Sequence, residues 1–333
     1  MAAYTAIDDS SLFFTPVIWT GSGAQQTISV PFQADFIWVK NRGATINHAS
    51  QDSVIGFGTR LSPNRNVAEG SEPHGIGTVS ASGFNFQGTY DGNGYNESSA
   101  TYVAWCWKES ATAGFDIVSY TGNGSNRTIS HSLSATPDLV IIKRRSDTGD
   151  WLVGGSTTLG GDNKLLLLNT NAALDDNSEV YQSFSSSTFG IGVNAYVNTD
   201  TSTQIAYLWR SVQGFSKFGS YTGNGSLDGP FLALSFLPSF FLVKRTDTTG
   251  NWVVFDNKRS LTGGFNEIGY TVIADGNNAE ATGTTSNDID FLSNGIKIRE
   301  DNGDLNASGA TYIYAAFAEA PFVNSNGVPC NAR

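Results

Sequence analysis

An internal repeat constrains this chain more tightly than any other feature of its sequence. Trp19-Thr20-Gly21-Ser22-Gly23 recurs as Tyr120-Thr121-Gly122-Asn123-Gly124 and as Tyr221-Thr222-Gly223-Asn224-Gly225, each time 101 residues further on. A second marker follows in the same order: Asp35-Phe36-Ile37-Trp38-Val39-Lys40, Asp138-Leu139-Val140-Ile141-Ile142-Lys143 and Ser239-Phe240-Phe241-Leu242-Val243-Lys244. A third closes each unit: Thr101-Tyr102-Val103-Ala104-Trp105, Gln204-Ile205-Ala206-Tyr207-Leu208-Trp209 and Thr311-Tyr312-Ile313-Tyr314-Ala315-Ala316-Phe317. Three markers in one order, three times over, mean that one structural unit is used three times.

Each marker has a mechanical meaning. Gly and Asn reach positive φ cheaply, so Thr-Gly-Asn-Gly after an aromatic reads as a tight reversal. Ahead of it Phe115-Asp116-Ile117-Val118-Ser119-Tyr120 alternates with period two, as a half-buried strand does. Residues 139–142 are apolar on both faces, which predicts a central strand covered on each side and leaving the core at Lys143. A Gly-polar-Trp turn follows at Gly149-Asp150-Trp151 and Gly250-Asn251-Trp252, where the first unit has Asn47-His48. Further strands are expected over 164–169, 190–197 and 295–299. Between residues 43 and 80 of the first unit strand character drops and loops prevail.

Each unit is about the size of one sandwich, whereas a propeller blade needs only about 40–50 residues. The predicted fold class is therefore all-β: three tandem β-sandwich, jelly-roll-like repeats of about 100 residues. The repeats span 15–110, 111–212 and 213–333, the last with a C-terminal tail, and residues 1–14 form an N-terminal docking arm. The joints at 109–114 and 211–214 are short, which predicts units in contact and in a fixed arrangement.

Composition agrees with β-structure. Gly (37 residues) and aromatics (12%) are abundant while charged residues make up only 15% of the 333 residues. The net charge of −11 is diffuse: −4 over residues 1–110 (5 basic, 9 acidic), −3 over 111–212 (6 and 9) and −4 over 213–333 (8 and 12). No unit offers the concentrated basic surface that nucleic-acid binding requires. Cys106 and Cys330 stand too far apart in sequence to imply a disulfide scaffold, and assembly in a reducing cytoplasm is expected. The N-terminus lacks a basic and an apolar signal region, and no stretch reaches 18 apolar residues, so neither export nor membrane insertion is expected.

Catalytic motifs are scarce. His48, His74 and His131 stand in no metal-ligand spacing, and no nucleophile elbow, Walker loop or dinucleotide fingerprint occurs. Glycan hydrolysis needs two carboxylates about 5–10 Å apart across a groove. The candidates Asp175/Asp176, Asp288/Asp290 and Glu300/Asp301/Asp304 do not recur between units and lie in turn-like settings. Asp301-Asn302-Gly303-Asp304-Leu305-Asn306 resembles a calcium loop only in part, lacking the sixth-position Gly and twelfth-position Glu of an EF-hand. The sequence therefore gives no catalytic residue, no metal ligand and no cofactor.

Two features offer binding chemistry. Basic residues follow each central strand: Lys40 and Arg42, Lys143, Arg144 and Arg145, and Lys244 and Arg245. A strand end carrying charge into solvent or an intersubunit salt bridge is the simpler reading; contact with an acidic partner or an anionic glycan is the sharper one. Trp151 and Trp252 follow turn residues and are candidates for a sugar-stacking surface, with core packing as the simpler alternative. In the third marker of the first unit, alternation places Trp105 and Trp107 together on one face.

The markers resemble a repeat domain of tail-fibre-like and virion structural proteins of marine and cyanobacterial tailed phages. The resemblance is carried by Tyr4-Thr5-Ala6-Ile7-Asp8-Asp9, Phe13-Phe14, residues 19–23 and 35–40, Phe317-Ala318-Glu319-Ala320-Pro321-Phe322 and the closing Asn331-Ala332-Arg333. It covers the full chain and implies a non-catalytic external virion component assembled in the host cytoplasm. A tail fibre or appendage for host attachment is expected first, a capsid decoration second and a glycan depolymerase last. The implied partners are a homo-oligomer, with a trimer favoured, other tail or head proteins and a host surface glycan, but neither nucleic acid nor membrane.

Overall fold

The computed structural model describes residues 4–86, 94–156, 158–259, 266–282 and 288–330. The chain is all-β, built of antiparallel sheets, and the described residues include short helical turns at Ser10–Leu12 and Ala195–Asn198. One strand order occurs in three sheets. In the first unit it runs Phe14–Thr20, Thr101–Trp107, Phe36–Asn41, Ala49–Asp52. In the second it runs Phe115–Thr121, Thr203–Trp209, Leu139–Arg144, Trp151–Gly154, and in the third Ser216–Thr222, Thr311–Pro321, Phe236–Arg245, Trp252–Asp256. A smaller sheet accompanies each large one: Thr27–Ser29, Gly83–Phe86 and Ile76–Ser80 in the first unit, and Arg127–Ser130, Thr188–Ile191 and Tyr181–Phe184 in the second. In the third it comprises Phe231–Ala233, Gly295–Ile298, Ile289–Leu292 and Glu267–Ile268.

Strand alternation sends successive side chains to opposite faces, and here both faces are buried. Tyr102, Ala104 and Cys106 pack with Ile28, Phe84 and Phe86 inside the first unit. Val140, Ile142, Ala206 and Leu208 do the same in the second, and Phe241, Val243, Tyr312 and Tyr314 in the third. The alternate residues belong to a fourth core drawn from all three units. It contains Phe36, Trp38, Trp105 and Trp107, then Leu139, Ile141, Tyr207 and Trp209, then Phe240, Leu242 and Phe317. Ring contacts cross between units: Phe36 to Tyr207 at 4.5 Å, Phe14 to Phe317 at 4.8 Å and Trp107 to Trp209 at 6.2 Å. The three units thus surround a common aromatic centre rather than extending in a line.

The glycine turn in each unit is held from inside by a buried asparagine. The backbone N–H of Ser22, Asn123 and Asn224 donates to the side-chain oxygen of Asn96, Asn198 and Asn306 at 2.9, 3.0 and 2.8 Å. Each Asn returns its amide to a carbonyl of the same turn: Ala24 at 2.5 Å, Ser125 at 2.7 Å and Ser226 at 2.8 Å. These turns are fixed because Asn supplies acceptor and donor together.

Two expectations need correction. The strand expected over 190–197 ends at Ile191, and Ala195–Asn198 is a helical turn capped by the Asn194 side chain, which accepts from the Tyr196 N–H at 2.9 Å. Residues 1–3 of the expected docking arm lie outside the described residues, but residues 4–13 are not a free arm. Ile7 sits in the shared core, and the Ser325 N–H and hydroxyl donate to Asp8 at 2.7 and 2.6 Å. A Cβ at Gly214 would lie 2.8 Å from the Thr5 side chain and 3.3 Å from Pro321, so the arm lies against the third unit, between its beginning and its end. The joints between units one and two and between two and three are covalent; the arm bridges three and one without a peptide bond.

Candidate functional site

The residues with binding chemistry gather at the seams between units, and the strand register makes the three seams comparable. Lys40, Lys143 and Lys244 end the second marker, two positions before Arg42, Arg145 and Thr246. At the first seam the Glu69 N–H donates to the Arg145 carbonyl at 2.9 Å, while Arg145 Nε donates to the Glu69 carboxylate at 2.7 Å. At the seam between units three and one the Glu280 N–H donates to the Arg42 carbonyl at 2.8 Å, and Arg42 grips the Glu280 carboxylate with Nε at 2.9 Å and Nη2 at 2.7 Å. Between units two and three the backbone bond persists, Leu174 N–H to Thr246 carbonyl at 2.9 Å, but Leu and Thr cannot form an ion pair. One hydrogen-bonding rule closes a ring of three.

The turn aromatics follow the same rule. Trp151 Nε1–H donates to the Ser62 and Arg65 carbonyls of the first unit at 2.9 and 3.0 Å, and Trp252 Nε1–H to the Leu167 carbonyl of the second at 2.8 Å. His48 holds the corresponding place in the first unit, its Nε2 lying 3.0 Å from the Ile273 carbonyl of the third. Trp151 and Trp252 are 1% and 2% exposed, so neither presents the open ring face that sugar stacking needs. Core packing is where the structure places both.

The basic cluster is also turned inward. Lys40, Lys143 and Lys244 are fully buried, and each ammonium donates at 2.6 Å to the carbonyl of the following residue, Asn41, Arg144 or Arg245. Burial lowers all three to about 8, because taking an ammonium from water disfavours the charged form. Arg144 bonds the Thr148 carbonyl, donates to the Ala195 carbonyl at 3.2 Å and lies 5.5 Å over the Tyr196 ring. Arg245 is bidentate to Asp247 at 3.0 Å. An intramolecular ion pair accounts for Arg42, Arg145 and Arg245, so the reading as a free anionic-glycan surface loses its donors.

Sequence reasoning missed the acidic side of these seams. Asp52 accepts from the Tyr207 hydroxyl at 2.7 Å across the first seam, and Asp256 accepts from Trp105 Nε1–H at 2.9 Å across the third. Asp256 also binds the fully buried Arg259 at 2.6 Å, whose other end reaches Glu280 at 3.0 Å. At the second seam both partners change together. Strand register puts Ala315 where Trp105 and Tyr207 stand, and Gly155 where Asp52 and Asp256 stand. A Cβ at Gly155 would lie 1.9 Å from the Asp138 carbonyl, which excludes a carboxylate there. The asparagine clamps did leave a signal: Asn96, Asn198 and Asn306 each stand five residues before a Thr (Thr101, Thr203 and Thr311) that begins the closing strand of the unit.

The acidic pairs behave differently. Asp175 and Asp176 form an exposed strand end, with Asp176 paired to Lys164 at 2.7 Å. Asp304 is occupied by the Asn251 backbone and side-chain amides at 2.9 and 2.8 Å, and Asn302 by the N–H groups of Asp304 and Leu305, so the 301–306 loop uses its own oxygens. Glu109, at the joint of the first two units, is pushed up to about 7 by burial and by Asp116, to which it is hydrogen-bonded. A carboxyl pair in hydrogen-bond contact leaves no room for the sugar and water that separated glycosidase carboxylates flank. Among the described residues no three His, Cys, Asp or Glu side chains converge as a metal centre, and no helix is long and apolar enough to cross a membrane.

A single family model spans all three units, from residue 9 to residue 321. The chain belongs to this family, described as Domain of unknown function (DUF7483). No curated protein matches the chain. The DUF7483 match begins inside the arm that packs against the third unit and ends with the last strand of that unit's large sheet, at Pro321. The DUF7483 region therefore coincides with the closed ring and not with one sandwich.

Proposed function

We propose that the chain is a non-catalytic structural protein of a tailed-phage particle, and first a tail-fibre or appendage component used in host attachment. The observation that carries this reading is the closed ring of seams: charged and aromatic side chains that could serve chemistry instead hold three similar units rigidly around one core. A catalytic reading finds no corresponding constellation, among the described residues, repeated in or shared between the units. The particle itself enters through the sequence resemblance, which supplies the location that geometry does not. Under this reading the partners are other tail or head proteins and a host surface glycan, and a homotrimer would be a trimer of three-lobed chains.

The threefold arrangement of similar units favours head decoration as a second reading. A three-lobed chain fits a seat with local threefold symmetry, and a capsid shell offers such seats in number. Cryo-electron microscopy of intact particles, with antibody labelling, separates the two: density at tail or fibre supports attachment, density over the shell supports decoration. Absence from the particle overturns both. Release of reducing ends from host polysaccharide by the purified protein would overturn the non-catalytic reading.

A further inference from the structure

The third unit carries an acidic site with two buried, unsatisfied carboxylate oxygens. In its smaller sheet Ile289–Leu292 pairs with Gly295–Ile298, and the ladder ends with the Arg299 N–H donating to the Asp288 carbonyl at 2.9 Å. Glu300 follows and is only 2% exposed. Its Oε1 and the Asp288 Oδ1 are buried without a hydrogen-bond partner. The adjacent cations are committed elsewhere: Arg299 pairs with Asp290 at 2.6 Å and Lys297 with Asp228 at 2.6 Å. Burial, then the neighbouring Asp288 and Asp301, push the Glu300 carboxyl up to about 7, although a hydrogen bond from the Asn302 side chain acts the other way. Buried, unpaired carboxylate oxygens are costly unless a proton or a cation balances them.

The repeat supplies an internal comparison. The Asn306 amide donates to the Glu300 carbonyl at 2.7 Å, and the corresponding Asn198 amide donates to the Gly192 carbonyl at 2.8 Å. The second unit thus builds the same clamp with glycine where the third has Glu300. The turn does not need the carboxylate, and the clamp fixes the backbone beneath it.

We infer that Glu300 and Asp288 form a binding site for a hard, oxygen-preferring divalent cation of the calcium type, completed by water. Two protein carboxylates with water completing the shell set a weak site, in the range of about 10⁻⁴–10⁻³ M typical of extracellular calcium modules. This inference is independent of where the protein sits.

The test uses the full-length chain stripped with chelator at pH 8, titrated with calcium chloride and separately with magnesium chloride. Isothermal titration is expected to show one site saturating in the millimolar range, with a matching rise in thermal midpoint. Glu300→Gln and Asp288→Asn are expected to abolish or weaken that rise at least tenfold, and Glu300→Gln to melt no lower than the metal-free parent. Neither binding heat nor a shift in the parent protein at about 10 mM calcium, ten times the weak end of that range, would overturn the inference and leave a shared proton as the balancing charge. A calcium response unchanged in both variants would place the cation elsewhere and overturn it equally.

Discussion

His48 shows how one position can be rebuilt within a repeat. Trp38 Nε1–H donates to His48 Nδ1 at 2.9 Å, which fixes that nitrogen as the acceptor and leaves Nε2–H to donate to the Ile273 carbonyl at 3.0 Å. A second proton would fall on Nδ1, against the indole donor. Full burial, then the positive Lys40, lower its pKa from 6.5 to about 3, although the Ile273 contact acts the other way. The sign follows from linkage: as pH falls below 6.5 the unfolded chain takes up this proton first, so stability is lost progressively between pH 6.5 and 3. The slope from this residue is about 1.4 kcal/mol per pH unit at most. Urea unfolding of the parent and of His48→Gln across that range should give profiles that converge as pH falls. Parallel profiles would mean that His48 is protonated in the fold. The three buried lysines act at the other end: their lowered values mean a native state that binds fewer protons, so stability rises as pH climbs from about 8 toward 10.5.

At the scale of elements, the seams differ in depth. The Arg145–Glu69 pair keeps 19% and 28% of its side-chain surface exposed, and exposed pairs contribute about 0–1 kcal/mol. Asp256 and Arg259 are both fully buried, and Asp256 also accepts from Trp105. Asp256→Ala is therefore expected to cost about 3–5 kcal/mol, since it leaves a buried guanidinium with half its partners. Glu69→Gln should cost under about 1 kcal/mol. Chemical denaturation of the two variants measures the difference; equal costs would mean that the seam between units three and one is not held by this network. Much of this was open to reading in the sequence. The units, the central strands and the shared face of Trp105 and Trp107 follow from period-two alternation. The seams do not, because pairing such as Glu280 with Arg42 joins residues 238 apart in sequence, and no local pattern encodes it. The strands apolar on both faces were the available clue: in a two-layer sandwich one face of each sheet meets its partner, so a second apolar face demands a further cover. That cover is supplied by the other two units, and it is also why Lys143, expected to leave the core, is buried along with Trp151.

For the whole molecule, the consequence is that no unit is a domain in the thermodynamic sense. Each large sheet would expose Trp, Tyr and Phe side chains of the shared core if its neighbours unfolded, and burying such a ring contributes about 1.5–3 kcal/mol. Loss of one unit also strands Asp52 or Asp256 without its partner across the seam. The three units should therefore melt together. At about 0.7 kcal/mol per residue near 60 °C, the 333 residues predict an unfolding enthalpy of about 230 kcal/mol in one transition. Differential scanning calorimetry should find the van't Hoff enthalpy close to that calorimetric value; a ratio near one third would mean independent sandwiches and would refute the shared core as the stabilising element. Removing residues 1–11 adds a second test in the same instrument. The deletion takes Ile7 out of the core and Asp8 from Ser325 while leaving both covalent joints intact. It should lower the midpoint of the single transition without splitting it, because the arm closes the third seam and the core behind it is common to all.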